Sequence, residues 1–212
     1  MSLDTAFQWY LSCREGHSGC RCLRSETPWL PTRLLDIGVE GDPKWKLVMS
    51  SGLESSKTEY MTLSYRWDTN PKILLKSSTM DKFCHGQPIS ALPRTFQDFI
   101  VVARRFTVRY IWIDSLCIIQ DSYDDWQRES VKMQLVYANA CCSIAASASA
   151  DSEEGLFRSR RPKFIRPGLV KKSSLCTFNY EDYYVYDDSY VQRQLFSGPI
   201  HKRGWVFQVS SA

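Results

Sequence analysis

A change of hydrophobic period, repeated in a fixed order, constrains this chain more than any other feature. Residues 60–66, YMTLSYR, alternate Tyr60, Thr62 and Ser64 against Met61, Leu63 and Tyr65, the two-residue period of a strand. Residues 93–106, PRTFQDFIVVARRF, change step. Phe96, Phe99, Ile100, Ala103 and Phe106 fall at helical spacing, and Pro93 suits a first helical turn. Residues 108–114 return to strand character and end on Asp114 after Tyr110-Ile111-Trp112-Ile113. A second helix is predicted over about 125–139, with Asp124 as N-cap and Gln127 three residues on, the spacing of a capping box. CCSIAASASA then reads as a short strand of small side chains. Strand, helix, strand, helix, strand in this order predicts an α/β fold whose parallel sheet carries helices on its faces.

The flanks are less regular. TRLLDIG and KWKLVMS are short extended candidates separated by Gly, Asp and Pro. The segment from 67 to about 91 is rich in Ser, Lys and Pro, and its length predicts a short helix or a lid. Beyond residue 157, SSLCTFNYEDYYVYDDSYVQ holds two aromatic, β-rich runs around an acidic turn, which predicts an added hairpin. The chain therefore divides into an N-terminal segment (1–58) with a Cys/His cluster and short strands, an α/β core (59–157), and a β-rich C-terminal part (158–212).

Composition excludes several classes. Hydrophobic residues are 43% and charged residues 24% of the 212, so the chain is globular and large enough for a real core. A net charge of +4 does not suit a nucleic-acid partner, and the short basic run Arg158–Lys163, interrupted by Pro162, reads as a solvated loop. No stretch approaches the ~20 apolar residues of a membrane span, and the first residues lack a signal peptide's basic start and apolar run. The expectation is a cytoplasmic protein whose eight cysteines are free thiols. Cys13, His17, Cys20 and Cys22 are of the right type for zinc, but the Cys-x-Cys end is unusual and no Cys-x2-Cys pair accompanies it. The expectation is a loop of partly buried thiols without a metal.

Ligands of open parallel sheets bind at the carboxyl ends of the strands. Those ends carry Ser64-Tyr65-Arg66-Trp67-Asp68 and Asp114-Ser115-Leu116-Cys117. If the two strands are neighbours, Arg66 and Asp114 share one rim. Arg, Asp and aromatic faces there suit a ligand with both a phosphate and a ring; equally, an Arg–Asp pair could tie two loops together. Glu129 falls on the apolar stripe of the second helix with Trp126, Met133, Val136, Tyr137 and Ala140. A carboxylate there needs a partner or a raised pKa: it is either an acid beside a ligand or a salt bridge to Arg104, Arg105 or Arg109. Cys117 has no histidine near it in sequence and reads first as a packed thiol. No phosphate-cradling glycine loop is present.

YMTLSYRWD, LPRTFQDFIVVARRF, YIWIDSLCIIQDSYDDWQRESVKMQLVYANA, GLFRSR and RGWVFQ, in this order, together resemble the heterokaryon-incompatibility (HET) domain of filamentous fungi. So does the opening, with Cys13, His17 and Cys20 ahead of PTRLLDI. The resemblance implies non-self recognition and programmed cell death, with a homo-oligomer or other death-signalling proteins as partners. It implies a flavodoxin-like fold related to Toll/interleukin-receptor (TIR) domains, several of which cleave NAD at the nicotinamide–ribose bond with one glutamate. NAD is thus a possible substrate, with Ser64, Tyr65, Arg66, Trp67, Asp114 and Cys117 around a nucleotide-sized cleft and Glu129 as a candidate acid. Two departures stand out. Asp68 occupies a position where the family has glycine. Val209 follows Gln208 where the family pattern has a glutamate, the candidate counterpart of the TIR acid, so any hydrolase activity is expected to be impaired, as in a truncated form.

Overall fold

The computed structural model describes residues 3–16, 29–159, 168–171, 182–185 and 189. Helix α1 (Leu3–Gly16) comes first. Two short strands follow, β1 (Arg33–Asp36) and β2 (Lys44–Met49), and then β3 (Tyr60–Ser64). The segment after β3 carries a short helix, α2 (Met80–His85), and the two-residue strand β4 (Gln87–Pro88). Then come α3 (Arg94–Arg105), β5 (Tyr110–Ile113), α4 (Asp114–Cys117), α5 (Tyr123–Ser130), α6 (Met133–Ala138) and β6 (Cys142–Ala145).

The six strands form one open sheet in the order β4-β2-β1-β5-β3-β6. The expected parallel unit is its right half: β3 lies between β5 and β6, parallel to both, with Thr62 opposite Trp112 and Ser143. The other half departs from a purely parallel sheet. β1 runs antiparallel to β5 and to β2, and β2 antiparallel to β4. The turn that joins β1 to β2 holds Gly38 and Gly41 at φ +65° and +93°, a conformation glycine adopts without steric cost.

The strand period sorts side chains between two helical layers. Tyr60, Thr62, Ser64 and Trp112 face α6: Tyr60 Oη donates to the Val136 carbonyl (2.6 Å), Ser64 Oγ to Tyr137 Oη (3.1 Å), and the Trp112 and Tyr137 rings meet edge to face. Met61, Leu63 and Tyr65 face the opposite way, where Tyr65 meets Phe96 of α3 with ring centroids 4.9 Å apart. With α3 and α6 on opposite faces, as crossovers of one hand on the two sides of β3 require, the sheet is doubly wound and consistent with a flavodoxin-like arrangement. Phe96, Phe99, Ile100 and Ala103 of α3 are buried as their spacing predicts.

Three elements differ from expectation. The second helix is two helices, broken at Val131–Lys132, and its N-cap is Ser122, whose hydroxyl accepts from the Asp125 amide, rather than Asp124. Glu129 and Val136 are buried as their place on the stripe predicts, but Trp126 is 45% exposed and its neighbour Asp125 is buried in its stead. The predicted C-terminal hairpin is present as β7 (Gly168–Lys171) and β8 (Asp182–Val185), antiparallel with Val170 opposite Tyr183. Its first strand lies upstream of the SSLCTF run. Helix α1, unanticipated in the N-terminal segment, docks Phe7 and Tyr10 on Phe106 (5.5 and 5.1 Å) and is held by Arg105 to Asp4 (2.8 Å).

Candidate functional site

Because β3 and β5 are parallel neighbours with Leu63 opposite Ile113, the loops that leave them share one rim. The link between those loops is not Arg66 to Asp114. Asp114 Oδ2 accepts from the Trp67 indole (2.7 Å), and its other oxygen accepts from the Ser115 amide (2.8 Å). Tyr65 Oη donates to Ser115 Oγ (2.8 Å) just beneath. Arg66 is exposed beside them.

The strand order reverses at β3, so the switch point lies between β3 and β6, the place where doubly wound sheets hold ligands. Here the loop after β6 crosses it. The Ala146 amide donates to the Ser64 carbonyl (2.8 Å), the Ser152 amide to Asp68 Oδ1 (2.8 Å), and Ser152 Oγ to Asp68 Oδ2. The same loop is fixed to the start of α3. Gly155 N donates to Thr95 Oγ1 (3.1 Å), and buried Asp98 accepts from the Leu156 amide (2.8 Å). This is the structural role of GLFR in the GLFRSR motif: Gly155 sits at φ +78°, where a Cβ would lie 2.5 Å from Asp98 Oδ2.

The other candidates separate. Ser64 and Tyr65 point to opposite faces of the sheet. Cys117 is 1% exposed, burial pushes its thiol up to about 12, and its carbonyl accepts from Arg33 Nε (2.7 Å). It is a protonated core thiol at neutral pH. Glu129 is buried but has none of the three predicted arginine partners. It accepts from Thr32 Oγ1 (2.8 Å) and Lys132 Nζ (3.1 Å), while Arg104, Arg105 and Arg109 bind the Ile37 and Asp42 carbonyls, Asp4 and Asp36. Since β1 lies on the far side of β5 from β3, Thr32, which holds Glu129, stands about two and a half strand spacings, roughly 12 Å, from the switch point.

Sequence reading missed the group beside Glu129. Arg33 opens β1, is buried, and pairs with buried Asp125. Asp125 also accepts from the Ile119 amide (2.8 Å) and Arg128 (3.2 Å). Burial alone raises the Asp125 carboxyl; the Ile119 amide and Arg33 outweigh it and hold it below the usual carboxylate range. The available signal was an arginine in an otherwise apolar strand, Arg33-Leu34-Leu35.

Among the described residues no group of three or more His, Cys, Asp and Glu is placed to hold a metal; His17, Cys20, Cys22 and Val209 lie outside the described residues. Among the described residues, too, no helix is long and apolar enough to cross a membrane.

The sequence model of one family, Heterokaryon incompatibility protein (HET), matches residues 60–208. That span begins with β3 and takes in the whole parallel unit. The chain belongs to this family: it is a heterokaryon-incompatibility domain protein built on a mixed α/β sheet. No curated protein and no solved structure matches it.

Proposed function

We propose that this chain acts in fungal non-self recognition as a self-associating, TIR-like module in the cytoplasm, whose assembly with its own kind or with other death-signalling proteins triggers programmed cell death. Family membership supports the recognition role. The observation that carries self-association is the outer surface of α5 and α6, where Tyr123 is 73%, Trp126 45%, Val131 77% and Leu135 47% exposed. The Tyr123 and Trp126 rings stack on each other, centroids 6.3 Å apart. Large apolar side chains grouped this way mark interaction surfaces, and a two-fold interface uses one such patch twice. The test is light scattering of the purified chain across concentration, beside hyphal death on expression. Trp126→Glu with Val131→Glu, both at exposed positions, is expected to abolish association and death together. A wild-type chain that stays monomeric at every concentration and still kills would refute the self-association step.

A second reading, hydrolysis of NAD, is favoured by the switch point and by the exposed Arg66 beside Trp67 and Asp114. In this reading those residues, with Ser64, contact the nucleotide, whereas Tyr65 and Cys117 shape the rim from within. Cleavage develops positive charge on the ribose, which a nearby carboxylate stabilises. Glu129 is committed to Thr32 and Lys132, and Val209 stands where the resemblance expects the acid. Release of free nicotinamide by wild type would establish the second reading, with its loss in Glu129→Gln assigning the acid to Glu129 despite its present partners; no release would refute it.

A further inference from the structure

The opposite end of the sheet carries a second concavity, which the reading above does not use. β1 is antiparallel to β5, with Asp36 opposite Tyr110, so Asp36 lies at the amino end of β5 and Asp114 beyond its carboxyl end. Around Asp36, the β1–β2 turn, the start of β2 and the end of α2 enclose a cleft of about 340 Å³, within the size range of small-molecule sites. Its charged lining is Asp36, Asp42, Lys44, Lys46, His85 and Arg109.

The two carboxylates are already engaged. Asp36 takes two bonds from Arg109 (2.8 Å each) and one from the Gly38 amide (3.0 Å). Asp42 Oδ2 accepts from the Val39 amide (2.8 Å), and a Cβ on Gly38 would lie 2.1 Å from that oxygen. The wall is braced from behind, where Arg104 donates to the Ile37 and Asp42 carbonyls. The cations are less satisfied. Lys44 makes no ion pair among the described residues, and Lys46 stands 3.9 Å from an Asp36 oxygen that Arg109 already occupies. Lys44 and Lys46 are two apart on β2 and both exposed on its solvent face, so their ammonium groups extend to the same side. The Arg109 guanidinium uses two of its five N–H groups on Asp36.

We propose that this cleft binds a small phosphorylated metabolite, with its phosphoryl group held by Lys44, Lys46 and the remaining N–H groups of Arg109. A point-charge pair of lysines beside a guanidinium is a donor set suited to phosphate oxygens. Asp42, also in the lining, accepts from a hydroxyl of the ligand's body. The site is independent of the β3/β6 rim and of whether that rim cleaves NAD.

Titration calorimetry with ribose 5-phosphate tests this, with ribose as the arm lacking the phosphoryl group. The intact chain is expected to bind ribose 5-phosphate saturably at one site and to leave ribose unbound. Lys44→Glu/Lys46→Glu is expected to weaken binding by at least about tenfold. Lys57→Glu/Lys72→Glu, with the same change in net charge elsewhere, is expected to leave binding unchanged. Lys44→Gln, which removes a charge without touching the Asp36 pair, is expected to weaken it to a lesser degree at an unchanged melting temperature. Absence of saturable binding by wild type, equal binding of ribose, or equal weakening in the two double variants would each overturn the proposal.

Discussion

The two halves of the sheet solve the burial problem differently. In the parallel half, β3 and β5 are covered on both faces, and Tyr60, Met61, Thr62 and Leu63 are all buried, the continuous burial expected of strands between two helical layers. In the antiparallel half β1 is buried throughout as well, and the contrast lies in the outer strand β2, which alternates exposed Lys44 and Lys46 with buried Trp45 and Leu47, as a strand with one wet face should. One apolar core and the β1–β5 pairing run through both halves, and a polar seam is added to them. Arg33 and Thr32, at the start of β1, reach α5 through Asp125 and Glu129. An ion pair at a seam adds less net stability than its Coulomb energy suggests, because both charges leave water. What it supplies is a fixed registry, since only one placement of α5 over β1 satisfies both.

The comparison can be broken most forcefully at that seam. Asp125→Ala leaves Arg33 buried without its partner and should cost about 3–5 kcal/mol in denaturant unfolding, while Arg33→Met with Asp125→Leu should recover most of the loss. The Asp125 carboxyl is held below its unfolded value, so its contribution is present above about pH 4 and is lost as pH falls through the folded value. The acid limb of the stability profile should therefore flatten in the double variant. Next in size is Gly155→Ala, which forces an L side chain to positive φ and towards Asp98. A loss of about 1–3 kcal/mol is expected, confined to the loop that crosses the switch point and visible as faster amide exchange there. Asp114→Ala should cost about 1–3 kcal/mol. Trp67→Phe should remove much of the same interaction, so a double-mutant cycle should show coupling; additivity would mean that the two loops are not tied there. The smallest effect is expected for Glu129→Gln, which keeps one acceptor for Thr32 and gives up the Lys132 pair, at about 1 kcal/mol or less in thermal unfolding.

The parallel half was legible because its signals are periodic. Strand alternation in YMTLSYR and helical spacing in PRTFQDFIVVARRF each report a buried face, and the faces they imply are the ones Tyr65 and Phe96 bring together. The rim was legible as a place but not as a set of contacts. Period fixes which residues leave a strand end, whereas the choice of Trp67 over Arg66 as partner of Asp114 depends on loop geometry that sequence does not encode locally. The α5 reading shows the same limit. Hydrophobicity places Trp126 inward beside Glu129, yet the residue that turns inward with Glu129 is Asp125, because β1 offers Arg33 there. No property of α5 itself announces a polar seam; the signal belongs to a strand about 90 residues earlier. The antiparallel pairing of β1 with β5 was equally hidden, since strand direction is set by connections rather than composition.

That pairing has a bearing on how the chain is made. β1 and β2 are separated by a short turn and can pair as soon as both have left the ribosome. Leu35, however, must wait for Ile111, about 75 residues later, and β3 waits longer still for β6. At about 5–20 residues per second, the inner edge of β1 remains unpaired for roughly 4–15 seconds of synthesis. Apolar β3, made later, waits about 50 residues for β5, roughly 2.5–10 seconds. The sheet is therefore closed from its middle, late, by contacts between distant parts of the chain, and slow, chaperone-dependent folding is the expected cost of placing β5 between β1 and β3.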